Sequence, residues 1–412
     1  MNLKKAAIVK DPFFLVLCVM GGFAILSSTM SKNPVLNPFA LSLGSPAGLT
    51  GIIAAASTIP GILISLPAAS LSDVLGRRKM LLFATFVFAS APFLYLFVTN
   101  WWQLALVRFY HGFATAIFVP VAEATIAERY PAKKGERISA FNSVTAVGRG
   151  LAPFLGGSIL FVTNYGFHTL YLAVAVAGLT SFVIALLLLS ETRTNNTIPF
   201  ERKLSGHRML GGWVQIARNR GALLVSFVQA CQYYVYGVVE FYLVQYMQQT
   251  AGFNALQIAI VMGFQIVSLI VSRPFLGRFS DKGSRRLPIF LGCIISASLL
   301  LIVPFSTEFA VLLVISIGYG LGFAMVISST TPLMSELTPS NLVGTSMGFL
   351  STVMDIGQTI GPVISGIILA SALAYTGLFS SLTILLAVSA AAFFVSGIAK
   401  TKKEKEGGTC SA

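Results

Sequence analysis

Charge is what this chain has least of. Only 10% of its 412 residues are Asp, Glu, Lys or Arg, against 55% apolar. A water-soluble fold of that length would lack the polar surface to cover its core. Acids are scarcer than bases, 14 against 28, and there are three histidines. The four cysteines, Cys18, Cys231, Cys293 and Cys410, are scattered, which excludes a disulfide framework and any zinc-ligand spacing. A phosphate-binding glycine loop, a metal cluster and a separate catalytic domain are also missing, so neither an enzyme nor a bound cofactor or metal is expected. The few residues before the first apolar run are too short for a cleaved leader, and the first helix should stay as an anchor.

What is present is long apolar runs, with a mean hydropathy of +0.82. A bilayer core takes about 20 apolar residues per helix. Twelve such segments fit, near 13–36, 46–69, 80–98, 102–124, 138–161, 168–189, 221–246, 255–275, 287–305, 309–331, 345–370 and 377–397. The fold class expected is therefore an all-α integral membrane protein of 12 transmembrane helices. The net charge of +14 is a topology signal rather than a nucleic-acid footprint, because no Lys or Arg falls in an outer loop on this layout. The positive-inside rule then puts both termini in the cytoplasm of a multi-pass cell-membrane protein.

One polar interruption organises the rest. Leu71-Ser72-Asp73-Val74-Leu75-Gly76-Arg77-Arg78-Lys79 returns 208 residues on as Gly277 to Arg286, pairing Asp73 with Asp281, Arg77 with Arg285 and Arg78 with Arg286. The chain reads as a duplication, with a six-helix bundle at 1–189, a cytoplasmic linker at 190–219, a second bundle at 220–398 and a disordered tail at 399–412. Glu128 and Pro131 recur as Glu336 and Pro339 at the same offset, so these acids are expected at the cytoplasmic edge, paired with the loop arginines.

This loop resembles the signature between helices 2 and 3 of the major facilitator superfamily of secondary transporters. Ala69 and Val74 depart from that pattern, and Ser284 stands where the first copy has Gly76. The resemblance implies two pseudo-symmetric six-helix bundles rocking about a central site. It also implies a conformational latch built from Asp73, Gly76, Arg77, Arg78, Asp281, Arg285 and Arg286. Arg108, followed by His111 and Gly112, is similar to the fourth-helix Arg-x-x-x-Gly motif of proton-coupled members. Gly148, Pro153, Gly156 and Gly157 resemble an antiporter hinge, with Ala152 replacing one glycine, and Gly361-Pro362 is its counterpart at offset 209.

Ionic side chains inside apolar runs call for a partner, a wet cavity or a function. Lys32 and Glu240 are 208 residues apart and opposite in sign. Gln229, Tyr233, Tyr236 and Glu240 form one stripe on a helix, as do Asp355 with Gln358, and Asn142 with Thr145 and Arg149. A structural role, ion pairs holding the halves in register, is the plain reading of these charges. His111 reads first as a histidine hydrogen-bonded inside the bundle and second as a proton relay.

The functional expectation is a monomeric proton-coupled antiporter, resembling the twelve-helix drug/proton antiporters, that exports amphipathic organic compounds on the energy of the proton gradient. Glu240, Asp355, Glu123 and His111 are the coupling candidates. Lys32, Arg108, Arg149, Gln229, Tyr233, Tyr236, Glu240 and Gln358 are the cavity candidates. The alternative is an exporter or exchanger of an anionic metabolite or lipid-like molecule, bound by Lys32, Arg108 and Arg149. A non-transporting receptor or an integral membrane enzyme is the reading from outside transport, and the short outer loops and the lack of a catalytic domain argue against it.

Overall fold

The computed structural model describes residues 11–46, 48–189, 213–282, 284–339 and 342–398. The tail expected at 399–412 and most of the linker expected at 190–219 lie outside the described residues, as do the side chains of Asp73 and Asp281. Every regular element described is helical. In order these are α1 (Pro12–Met30), α2 (Leu36–Ser42), α3 (Thr50–Ala56), α4 (Ile59–Leu75), α5 (Arg77–Tyr95), α6 (Trp101–Arg129), α7 (Lys134–Val162) and α8 (Phe167–Leu188). Then follow α9 (Arg220–Val238), α10 (Val244–Gln249), α11 (Ala255–Lys282), α12 (Arg286–Ile302), α13 (Phe309–Leu337), α14 (Val343–Leu369) and α15 (Ala374–Val395).

Ten helices among the described residues are long and apolar enough to cross a membrane. The second and third expected spans fall short for visible reasons. The second is split into α3 and α4 at Ser57-Thr58, because Pro60 has no N–H to return to Ala56. The third, α5, opens on Arg77, Arg78 and Lys79. The first span also ends early: α1 stops at Met30, so Lys32 sits in a turn before α2 rather than inside the helix.

The chain divides into two compact units, Met1–Ser205 with Asn254–Gly263, and Gly206–Phe253 with Phe264–Ala412. The first packs α1, α5, α6 and α7 around Phe14, Leu17, Phe88, Phe118 and Phe141. The second packs α9, α12, α13 and α15 around Val225, Val228, Ile289, Val326 and Phe393.

The repeat in sequence is a repeat in packing. A Cβ at Gly112 would run into the Ser57 carbonyl, and a Cβ at Gly320 into the Gln265 carbonyl, each partner again 208 residues on. Gly148 meets the Gly22 carbonyl and Gly357 that of Ala230 in the same way. Small residues let these helix backbones approach to contact where no hydrophobic force would draw them together in lipid.

At one end of each unit an arginine bridges two helices. Arg77 Nε donates to Glu128 at 3.2 Å and its Nη1 to Ser72. Arg285 Nε donates to Glu336 at 2.8 Å and its Nη1 to Ser280 at 3.2 Å. Arg78 donates to the carbonyls of Leu189 and Leu186, and Arg286 to that of Phe394. Gly76, between α4 and α5, has φ of +94°, a region in which a Cβ is strained.

The first unit adds a clasp around the start of α1. Asp11 accepts from the Phe14 N–H at 3.3 Å and from the Tyr130 hydroxyl at 2.6 Å. Arg129 lies 4.2 Å over the Phe13 ring, and Arg137 lies 4.5 Å over Phe14. Burial alone would raise the Asp11 carboxyl. The Tyr130 hydroxyl, the Phe14 N–H and the Arg137 and Arg129 guanidiniums hold it below its usual 3.8. Burial and the bond to Asp11 push the Tyr130 phenol up to about 12.

Two outcomes are expected. Gly148→Ala costs about 1–3 kcal/mol by overpacking, whereas Gly135→Ala, with nothing within 4 Å of its Cβ, is neutral or stabilising by up to about 1 kcal/mol; thermal unfolding of the detergent-solubilised protein compares them. A carboxyl whose folded value is depressed stabilises above its unfolded value and loses that contribution as pH falls through the folded one. The melting-temperature gap between the native chain and Asp11→Asn should therefore be widest above about pH 5 and close towards about pH 3. A gap independent of pH would remove the carboxylate as its source.

Candidate functional site

In the first unit the polar residues gather at the break in the second span. Ser57 sits in the turn between α3 and α4, half-buried. Arg108 of α6 is 3% exposed, and its Nη2 donates to Ser57 Oγ at 2.5 Å. Near it, at the end of α5, lies the buried hydroxyl of Tyr95. His111, one turn along α6 and also 3% exposed, has Nδ1 3.3 Å from that hydroxyl. The Tyr95 ring stacks on Tyr171 at 4.3 Å, and the Tyr171 hydroxyl donates to the Ser31 carbonyl at 3.4 Å. One buried network thus ties α3, α5, α6 and α8 to the end of α1.

That network is cationic and short of acceptors. Arg108 Nε and His111 Nε2 are buried with no hydrogen-bond partner among the described residues, and no described carboxylate forms an ion pair with Arg108. Glu123 lies on the same helix but about 22 Å further along it, where it accepts from Asn142 Nδ2 at 2.9 Å. Arg149 is exposed and Lys32 half-buried.

In the second unit the candidate acid stands on an irregular turn. Glu240, 9% exposed, belongs to a π-helical stretch, Val239–Leu243, that joins α9 to α10. One extra residue per turn at a single place re-aims side chains, and such turns gather at functional sites. Tyr236 donates to Glu240 Oε1 at 2.7 Å, and Gln358 of α14 lies 3.5 Å from Oε2. Tyr236 stacks on Phe323 of α13 at 4.8 Å, and Tyr233 meets the same ring edge-on at 5.3 Å. Tyr319, one turn before Phe323, keeps a buried hydroxyl without a partner among the described residues.

The structure therefore brings Tyr233, Tyr236, Glu240 and Gln358 together. Gln229 lies deeper in the unit, buried and accepting from Thr330. Asp355 is half-buried with no hydrogen bond or ion pair on its carboxyl among the described residues, while its carbonyl accepts from Thr359 at 2.7 Å. Gly148, Pro153, Gly156 and Gly157 are buried on α7, and Gly361 and Pro362 on α14. Tyr242 supplies a hydroxyl donor to the Pro362 carbonyl at 3.1 Å.

Phe323 and Tyr319 are absent from the expected set. Their four-residue spacing on an apolar helix is the available signal, and it looks like ordinary core. The π turn leaves no mark in the sequence.

The sequence pattern of the Major Facilitator Superfamily matches residues 13–362 and again 225–409. The chain belongs to this superfamily. It is similar to an uncharacterized MFS-type transporter of Methanocaldococcus jannaschii, 23% identical over 81% of this chain and 85% of that one. It is equally similar to the quinolone resistance protein NorA of Staphylococcus aureus, 23% identical over 81% of this chain and 84% of that one. In fold it resembles the crystal structure of a bacterial homologue of the human lysosomal transporter Spinster, with a TM-score of 0.77, 13% identity, and coverage of 94% of this chain and 97% of that one. The protein is a multi-pass membrane transporter of small molecules, not an enzyme.

Proposed function

We propose that this transporter is a proton-driven antiporter that exports amphipathic organic molecules across the cell membrane by alternating access. It works as a monomer with both termini in the cytoplasm and needs no cofactor beyond the proton gradient. The observation that carries the reading is the setting of Glu240. Its carboxyl is held by a phenol and an amide beside stacked aromatic rings, where a proton and a cationic or polar cargo compete for one acceptor. Tyr233, Tyr236 and Phe323 offer flat apolar surface to an amphipathic molecule. Asp355, whose carboxyl has no partner of its own among the described residues, is the second titrating acid. The relation to NorA, a quinolone resistance protein, supports efflux as the direction.

The alternative, an anionic metabolite or lipid-like cargo, draws on Arg108. Competition between organic cations and organic anions for transport separates the two.

The test is proton flux in vesicles reconstituted with the purified chain, under an imposed pH gradient and a panel of amphipathic substrates. Glu240→Gln and Asp355→Asn should each reduce substrate-driven proton movement by about tenfold or more. Intact coupling in both variants would remove these acids from the mechanism.

A further inference from the structure

The clasp at the start of α1 lies where the repeat breaks. Glu128 and Pro131 return as Glu336 and Pro339, but the cations around them do not: Arg129, Lys133, Lys134 and Arg137 become Leu337, Asn341, Leu342 and Thr345 in the second copy. The rings that hold two of these cations are lost with them, since Phe13 and Phe14 become Gly221 and Ala222. Charge placed only to orient a chain in the membrane needs no aromatic seat. Here cations and rings are present together in one unit and absent together in the other, which marks one arrangement rather than loose basic residues.

The arrangement stands at the ends of three membrane-crossing helices. One span begins at Pro12, one ends at Arg129 and one begins at Pro131, which puts these side chains at headgroup depth. Arg129 stands 4.2 Å over Phe13, and Arg137 stands 4.5 Å over Phe14 and 4.8 Å over Tyr130. A guanidinium stacked by its face keeps its N–H edges for an acceptor in its own plane. Asp11 does not serve as that acceptor for Arg129: its two oxygens take the Phe14 N–H and the Tyr130 hydroxyl. Arg129, Lys133 and Lys134 are exposed and form no ion pair among the described residues. Of the two acids on this stretch, Glu128 accepts from Arg77 and Glu136 is exposed.

We infer that this corner of the first unit binds the phosphate of an anionic phospholipid, with Arg129 as its oriented donor and Lys133 and Lys134 as flanking point charges. A lipid is favoured over a soluble phosphate because the corner lies at the depth of the lipid headgroups, where anionic lipids attract clustered cations at a helix end. A headgroup held there links the end of α6 to the start of α7, on either side of the turn at Pro131–Lys133. The inference concerns a lipid partner and does not rest on the cargo or on proton coupling.

The test uses the full chain in detergent micelles titrated with phosphatidylglycerol or phosphatidylcholine of the same acyl chains, with retained lipid counted by native mass spectrometry. Phosphatidylglycerol should be retained about fiftyfold more strongly or better, at roughly fivefold for each of three cations. Lys133→Gln with Lys134→Gln should lower that preference by about fivefold per charge removed, and adding Arg129→Gln should make the two lipids alike. Arg218→Gln, Arg220→Gln and Arg278→Gln together remove as many exposed cations from the second unit. They should leave the preference within about twofold, the change expected of screened charges outside the site.

Phe13→Leu keeps every charge and removes only the ring under Arg129, so it gives a second reading should the triple variant fold poorly. It should lower the preference by about two- to fivefold, the worth of an exposed cation–π contact. Equal retention of the two lipids by the native chain would overturn the inference. So would a preference that survives loss of Arg129, Lys133 and Lys134, or one that falls as far in the variant of Arg218, Arg220 and Arg278, which marks diffuse attraction to basic residues at large. An unchanged preference in Phe13→Leu would remove Arg129 as an oriented donor. Glycerol phosphate displacing the lipid at equal concentration would overturn the lipid as the occupant, leaving a site for soluble phosphates.

Discussion

The constraint on which this structure depends is that a charge within apolar depth must be answered. Arg108 cannot neutralise itself, and it is held by a serine at a helix break. Glu240 is held by a phenol and an amide on a widened helical turn. In both places regular helix is given up next to the charge. The two departures from regular α-helix are understandable as the way an all-helical fold makes room for polar side chains that would otherwise face lipid.

The duplication sets the frame in which those departures occur. Matching arginine–glutamate pairs tie Arg77 to Glu128 and Arg285 to Glu336, and glycines at matching places let neighbouring helices touch backbone to backbone. The frame is common to both units, whereas the ionic side chains at depth are not. The position of Arg108 is Ser316 in the second unit, that of His111 is Tyr319, and that of Lys32 is Glu240. Repeated residues build the scaffold; the ionic residues at depth are unrepeated, and each unit holds charge mainly of one sign there. The clasp of Asp11, Tyr130 and Arg137 is a third unrepeated feature: Asn219 stands where Asp11 does and, like it, caps its helix, but Thr338 and Thr345 stand where Tyr130 and Arg137 do.

Much of this is legible in the residues. The scarcity of charge requires a membrane, and the constant 208-residue offset locates both the arginine bridges and their glutamate partners. Boundaries are less legible: Lys32 reads as the end of a helix and lies in a turn, and the split of the second span at Ser57-Thr58 is announced only by Pro60. The partners of the key charges are not legible at all. Ser57 reaches Arg108 and Tyr95 reaches His111 from other elements, Phe323 and Tyr319 look like core, and a π turn differs from an α turn by one hydrogen-bond step that no side chain records. Periodicity finds which residues share a face; only packing shows what that face meets.

If these buried polar residues border a watered passage reached from both sides of the membrane, cysteine labelling shows it most directly. In a chain with the four native cysteines replaced, Ser57→Cys and Tyr233→Cys are compared with Val176→Cys, which lies on an exposed apolar face. A membrane-impermeant maleimide applied to either side should label positions 57 and 233 during turnover and leave 176 unmarked. If 57 and 233 react from neither side while a permeant thiol reagent reaches them, the charges are structural fixtures in sealed bundles and the passage does not exist.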